Sequence, residues 1–156
     1  MGLAEVQKYF EERGITNEII LLEESSATVE LAARALGREP GEIAKTLAFR
    51  LKDGAAIVIV VMGTARIDNH KYKAQFACKA HMMSFEETLE ATTHPVGGVC
   101  PFGLPEGVQV YLDESLRKYD MIFPAAGTGN SAVGFTPDDL QKATDGIWID
   151  VCKDEE

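Results

Sequence analysis

An α+β domain with a mixed sheet is what this 156-residue sequence predicts, on three observations. Segments with apolar residues three and four apart alternate with short apolar runs of strand length, the pattern of helices packed on a sheet. Two of those runs flank Lys52-Asp53-Gly54, whose Asp-Gly pair marks a hairpin, so antiparallel neighbours replace a simple doubly wound arrangement. No repeat or linker divides the chain, and residues 1–156 read as one domain, long enough to bury a core without disulfides or metal.

The elements follow in order. Leu3, Val6 and Phe10 stand at helical spacing, predicting a helix over Leu3–Arg13 that Gly14 stops. Ile19–Leu22 reads as a short strand. Ser25 or Ser26 is expected to cap a second helix that runs to Leu36 and ends at Gly37. Pro40-Gly41-Glu42 is a turn, and Ala44–Leu51 and Ala55–Val61 form the hairpin. Ile67–Phe76 reads as a basic helix, Met82-Met83 as a short strand, and Ser84-x-x-Glu87 as the capping box of another helix. A strand over Val108–Leu112, a short helix over Asp113–Lys118 and a strand over Asp120–Pro124 come next. After the loop Ala125–Ser131, Ala132–Phe135 is extended, Thr136-Pro137 opens a helix, and Ile147–Cys152 is the last strand. The acidic tail Lys153-Asp154-Glu155-Glu156 reads as solvated.

Composition narrows the function. The formal net charge is −10, which disfavours an extended grip on DNA or RNA, where phosphate neutralisation supplies much of the affinity. Contact with one nucleotide end stays open. The longest apolar run, Ala55–Met62, is too short to span a bilayer. The start of the chain leads straight into a charged amphipathic segment, and three widely spaced cysteines make neither a disulfide framework nor a Cys-x-x-Cys site; a reducing cytoplasm is the expected setting. His70, His81 and His94 lack zinc-ligand spacing, so no metal and no cofactor are expected.

Two segments carry candidate chemistry. In Ile43-Ala44-Lys45-Thr46-Leu47, strand alternation puts Lys45 on the face of Leu47 and Phe49, where an ammonium group needs a partner or a task. In Gly97-Gly98-Val99-Cys100-Pro101-Phe102-Gly103, three glycines and a proline in seven residues let successive N–H groups converge on an anion or oxyanion. Together they offer one cation and a polarising backbone, the equipment to position an ester for hydrolysis. Cys100 with His94 forms an alternative, a nucleophilic pair. Gly127-Thr128-Gly129-Asn130-Ser131 lacks the Lys-Ser/Thr of a Walker loop and reads as a pocket wall.

Thr28-Val29-Glu30-Leu31-Ala32-Ala33, Ile43-Ala44-Lys45-Thr46-Leu47 and the Gly97–Gly103 loop, in that order, resemble the YbaK/ProX family of aminoacyl-tRNA deacylases. These are related to the editing domain of bacterial prolyl-tRNA synthetases. The likeness runs from the second helix to Trp148-Ile149-Asp150-Val151. It implies a barrel-like mixed sheet flanked by helices, and metal-independent hydrolysis of the ester joining a small, wrong amino acid to the 3′ end of a tRNA. By that resemblance Lys45, Gly97 and Gly98 are the catalytic residues. Thr28, Thr46, Val99, Cys100, Pro101, Gly127, Asn130 and Ser131 are expected to bind the substrate. The substrate's terminal ribose hydroxyl and a water would assist, with no protein nucleophile. An aminoacyl-tRNA synthetase is a possible partner; DNA and membrane are not. Cys100 stands where many relatives carry serine, and Asn130 and Ser131 stand near the place of an acidic residue found in some. A non-catalytic module that binds the tRNA 3′ end or a synthetase is the rival reading.

Overall fold

The computed structural model describes residues 2–154. Glu155 and Glu156 of the acidic tail lie outside them. The chain forms a five-stranded mixed sheet and a separate two-stranded ribbon. The strands of the larger sheet are β2 (Ile43–Arg50), β3 (Ala56–Met62), β4 (Gln109–Asp113), β5 (Phe123–Pro124) and β7 (Ile147–Ile149), in the spatial order β5-β2-β3-β4-β7. Only β2 and β3 are antiparallel; the other neighbours run parallel. The ribbon pairs β1 (Ile19–Leu21) with β6 (Ser131–Val133), and an Ile122–Phe135 bridge joins it to the β5 end of the sheet.

The β2–β3 hairpin keeps register from Ala44 opposite Met62 to Arg50 opposite Ala56. Its turn is held by Asp53 Oδ1, which accepts from Ala55 N at 3.0 Å, and by Gly54 in the left-handed region at φ 90°. β3 is central and covered on both faces, which is why it reads as an unbroken apolar run rather than an alternating one. One face packs Ala44, Ala48, Val58, Val60, Val110 and Leu112 against helices α1 (Leu3–Arg13) and α5 (Pro137–Thr144). The other packs Leu47, Phe49, Ile57, Ile59 and Val61 under Tyr72 of α3 (Asn69–Phe76). Helix α2 (Val29–Leu36) covers the β5 edge through Ala32, Ala33, Ile43 and Phe123. Among the described residues, no helix is long and apolar enough to cross a membrane.

Several boundaries differ from the sequence reading, each for a local reason. Helix α2 is capped by Thr28, whose Oγ1 accepts from Leu31 N at 3.2 Å, and not by Ser25 or Ser26. The serines serve the approach instead: Ser25 Oγ accepts from Ala27 N, and Ser26 N donates to Gly129 O at 2.7 Å. Helix α3 starts late because Asp68 caps it, accepting from His70 N and Lys71 N, while Ile67 bridges to Cys152. Of its two lysines, Lys71 pairs with Asp150 and Asp154, so Asp154 of the tail is tied down. Met82-Met83 makes a single bridge from Met82 to Phe49 before α4 (Phe85–Thr92) and its expected capping box. Asp113–Lys118 forms a 3₁₀ turn at Glu114–Lys118. The last strand stops at Ile149, since Val151 N turns to the buried Asp113 Oδ1 at 2.8 Å.

Candidate active site

A gap in the edge of the sheet makes the site. Short β5 pairs with β2 only at Ile43 and Ala44. Further along the same edge, Met83 N donates to Ala48 O at 2.9 Å and Arg50 N donates to His81 O at 3.0 Å. The even-numbered residues of β2 therefore turn their peptide groups to this edge. Thr46, between the two paired stretches, has no strand opposite it among the described residues. A cavity of about 250 Å³ fills the gap. Ala44, Lys45, Thr46 and Leu47 form its floor, Val96, Gly97 and Val99 face them, and Thr28 and Ser131 close two sides. The hydroxyl of Thr46 is buried beside the cavity with no hydrogen-bond partner.

Lys45 projects from this floor, as alternation predicts, on the face of Leu47 and Phe49. Its Nζ donates to Ala65 O at 2.7 Å, which leaves two of its three donors without a protein partner among the described residues. Half-burial disfavours the ammonium and lowers its pKa below the ordinary 10.5, and the nearby Arg66 pushes the same way.

The glycine-rich loop is fixed at both ends. Phe102 is fully buried and packs edge-on against Phe10 at 5.0 Å between ring centres. His94, also fully buried, donates Nε2–H to Phe102 O at 2.6 Å; a carbonyl only accepts, so the proton sits on Nε2. Desolvation lowers the His94 pKa, in keeping with a neutral ring. Between these anchors Gly97 sits at φ 98°, where a Cβ would lie 3.0 Å from that of Ala27. Gly97 and Val99 line the cavity, and no hydrogen bond among the described residues occupies their N–H groups.

Of the residues picked from sequence, Lys45, Thr28, Thr46, Gly97, Val99 and Ser131 meet at this cavity. Others are placed elsewhere. Gly98, expected as an oxyanion donor, gives its N–H to Pro95 O at 2.9 Å and takes Gly127 N on its carbonyl at 3.0 Å. It and Gly127 join the two loops rather than face a ligand. Asn130 ties its loop to β1, with Nδ2 donating to Leu22 O at 3.3 Å. Ser131 spends its hydroxyl within its own loop, accepting from Ala126 N and Thr128 N and donating to Thr128 O. Pro101 is buried behind the wall. Cys100 is 0% exposed, 3.6 Å from His94 Nε2, and burial pushes its thiol up to about 12. A buried, protonated sulfur outside the cavity cannot attack a substrate there, which corrects the nucleophilic-pair alternative. Cys100→Ser is accordingly expected to keep ester hydrolysis within about threefold of the wild type, and native protein treated with iodoacetamide to keep its rate. A rate lost in both assays would restore the thiol to the chemistry.

Sequence reasoning missed, among other lining residues, Ser26, Ala27 and Ala125. Small side chains at a loop crossing leave no signal in a single sequence. Among the described residues there is no cluster of His, Cys, Asp and Glu arranged to hold a metal ion.

The sequence profile of the aminoacyl-tRNA editing domain matches residues 23–143. YwhH of Bacillus subtilis (strain 168), an uncharacterised protein, is 46% identical over 157 residues, covering all of both chains. EbsC of Enterococcus faecalis (strain ATCC 700802 / V583), a candidate Cys-tRNA(Pro)/Cys-tRNA(Cys) deacylase, is 30% identical over 134 residues, 85% of this chain and 81% of EbsC. The crystal structure of a candidate trans-editing enzyme for prolyl-tRNA synthetase superposes with a TM-score of 0.89 at 31% identity, covering 97% of each chain.

Proposed function

This chain belongs to the aminoacyl-tRNA editing domain family, that of YbaK and ProX, and from that premise we propose that it is a cytoplasmic trans-editing deacylase. It hydrolyses the ester of a mischarged tRNA that carries a small amino acid, without a metal. One observation carries the reading: half-buried Lys45, the unpaired edge of Thr46, and Gly97 and Val99, whose N–H groups carry no hydrogen bond among the described residues, line one small cavity. Its volume of about 250 Å³ lies below the roughly 300–1,000 Å³ of ordinary ligand sites, which favours a small aminoacyl group on a terminal ribose.

The groups divide the work by their chemistry. The open carbonyl of Thr46 accepts a hydrogen bond from the α-ammonium of the aminoacyl group. Lys45 directs its two remaining N–H donors at the terminal phosphate or the ester. Water, held by the neighbouring ribose hydroxyl of the substrate, attacks the carbonyl carbon. The resulting oxyanion is met by the N–H groups of Gly97 and Val99, and such preorganised donors are worth about 2.7–4 kcal/mol each in the barrier. The ester C–O bond then breaks, the proton lost by the attacking water passing to the leaving ribose oxygen, and the free amino acid and the tRNA 3′ end leave.

The test is deacylation of tRNAs charged with Cys, Ala, Pro, Ser and Thr, with and without EDTA. Release of one or two of these at a rate well above the spontaneous one, unaffected by EDTA, is the expected result. Binding of tRNA with no release across the panel would replace the enzyme by a non-catalytic 3′-end module. Loss of release with EDTA would overturn the metal-independent chemistry.

A further inference from the structure

A second cleft, of about 320 Å³, lies where β2 ends, between the β2–β3 turn and the segment that follows α3. Arg50, Lys52, Lys79 and His81 line it, and no acidic residue among those described does. Arg50 is committed to the fold: its Nε stands 3.5 Å from Glu87 Oε2, and its Nη1 donates to Gly54 O at 2.9 Å. Lys52 and Lys79 are exposed and form no ion pair among the described residues. Asp53, beside Lys52 in the chain, is bound into the turn through Ala55 N. The cleft therefore presents two ammonium groups without a counter-ion.

The local sequence is built the same way. The chain carries 25 acidic residues, yet none stands between Asp68 and Glu86, a stretch that holds Lys71, Lys73 and Lys79. Lys71 goes to Asp150 and Asp154, while no acid among the described residues pairs with Lys79. Carboxylates are kept off this one segment, which is what an acidic protein needs in order to accept a polyanion there.

The cleft and the active-site cavity lie on one edge of β2. Thr46 floors the cavity, Ala48 O accepts from Met83 N, and Arg50, whose N donates to His81 O, lines the cleft. Thr46 and Arg50 are four positions apart. At roughly 3.3 Å per strand residue that is about 13 Å, a span that a few nucleotides of single strand cover. Met82, between the two paired residues, is 55% exposed, so the segment that carries it lies at the surface.

We propose that Lys52 and Lys79 bind backbone phosphates of the RNA strand whose 3′ end enters the Lys45 cavity. This rests on the deacylase reading for the nature of the strand. Contact is confined to the phosphates just behind the 3′ end, so two lysines suffice in a protein of net charge −10. Each phosphate neutralised on a single strand gives about 0.7 in the slope of log K against log salt, so the pair accounts for a slope of about 1.4.

The probe is a fluorescein-labelled RNA hairpin with a single-stranded 3′-CCA end and no amino acid, titrated by anisotropy at several salt concentrations. The double variant Lys52→Ala, Lys79→Ala is expected to weaken binding about tenfold and to lower the salt slope by about 1.4. Lys8→Ala with Lys142→Ala, which removes two cations from α1 and α5, is expected to change neither. On a blunt hairpin without the 3′ overhang, the wild type and the double variant are expected to bind alike. Both lysines are exposed, so the double variant keeps its fold, which circular dichroism checks. Wild-type affinity and slope in the folded double variant would overturn the proposal. The same loss on the blunt hairpin would also overturn it, making the pair a general polyanion patch. So would equal displacement of the CCA hairpin by inorganic phosphate at matched ionic strength and phosphate concentration, which would make the cleft a free-anion site. Because the hairpin carries no ester, failure of the deacylation panel with the salt effect intact would sink the enzyme and leave this contact standing.

Discussion

Lys45→Ala is expected to lower tRNA deacylation by at least about 10²–10³-fold while leaving the fold intact, the scale seen when one preorganised charge or donor is taken from a developing oxyanion. The lysine is already fixed by Ala65 O and has donors to spare, so little reorganisation is needed when charge builds on the substrate. Its titration supplies a second signature. The pKa of Lys45 is lowered by burial, and the protonated form does the work. Enzyme-dependent hydrolysis should therefore fall as pH rises through that lowered value, before the 10.5 of an ordinary lysine is reached. Stability moves the other way. With the folded pKa below the unfolded one, the unfolded chain binds more protons between the two values, so stability rises with pH across that window. Below it the protonated Lys45 is a cost to the fold. Lys45→Met, which keeps the stem and discards the charge, is expected to be inactive and to melt no lower than the wild type at pH 7. A Met variant that melts well below the wild type would make Lys45 a structural residue. A variant that still deacylates at the wild-type rate would remove it from the mechanism.

The sequence showed Lys45 and the glycine-rich loop because both break local rules: a charge inside a strand pattern, and glycines too dense for a hairpin. It also showed the helix ends that have a chemical marker, Gly14, Gly37 and the Ser84–Glu87 box. The ends at Ala77, Thr93 and Asp145 adopt the same left-handed conformation with no glycine to announce it. The site itself was half legible. Thr46 could be named, but its importance lies in β5 stopping at Pro124, and nothing in a single sequence says which strand lies beside which. The role of Gly98 was misread for the same reason. A run of glycines signals close approach without saying whether a ligand or another loop approaches. Here Gly97 serves the cavity and Gly98 serves the neighbouring loop, one residue apart.

That division makes Gly98 the second position where a single methyl group should matter most. Its backbone is not in the left-handed region, so alanine there is free of φ strain. The obstacle is steric. A Cβ would lie 2.6 Å from the N, Cα and C of Thr128, all backbone atoms with nowhere to swing. The two loops would have to part, breaking the hydrogen bond from Gly127 N to Gly98 O and shifting Gly97 and Val99 against Lys45. Overpacking of this kind costs about 1–3 kcal/mol, which for a domain of this size is a fall in Tm of roughly 3–10 °C. Activity should suffer more than stability, since displacing catalytic groups by about 1 Å can cost about 10²-fold. Gly129→Ala is the control, because its Cβ would meet only the Cβ of Ala27 at 3.6 Å, an ordinary contact. The measurement is a melting curve and a deacylation rate on both variants. A Gly98→Ala protein that melts and deacylates like the Gly129→Ala one would mean that the loop junction yields freely, and that the cavity wall is not held in place from behind.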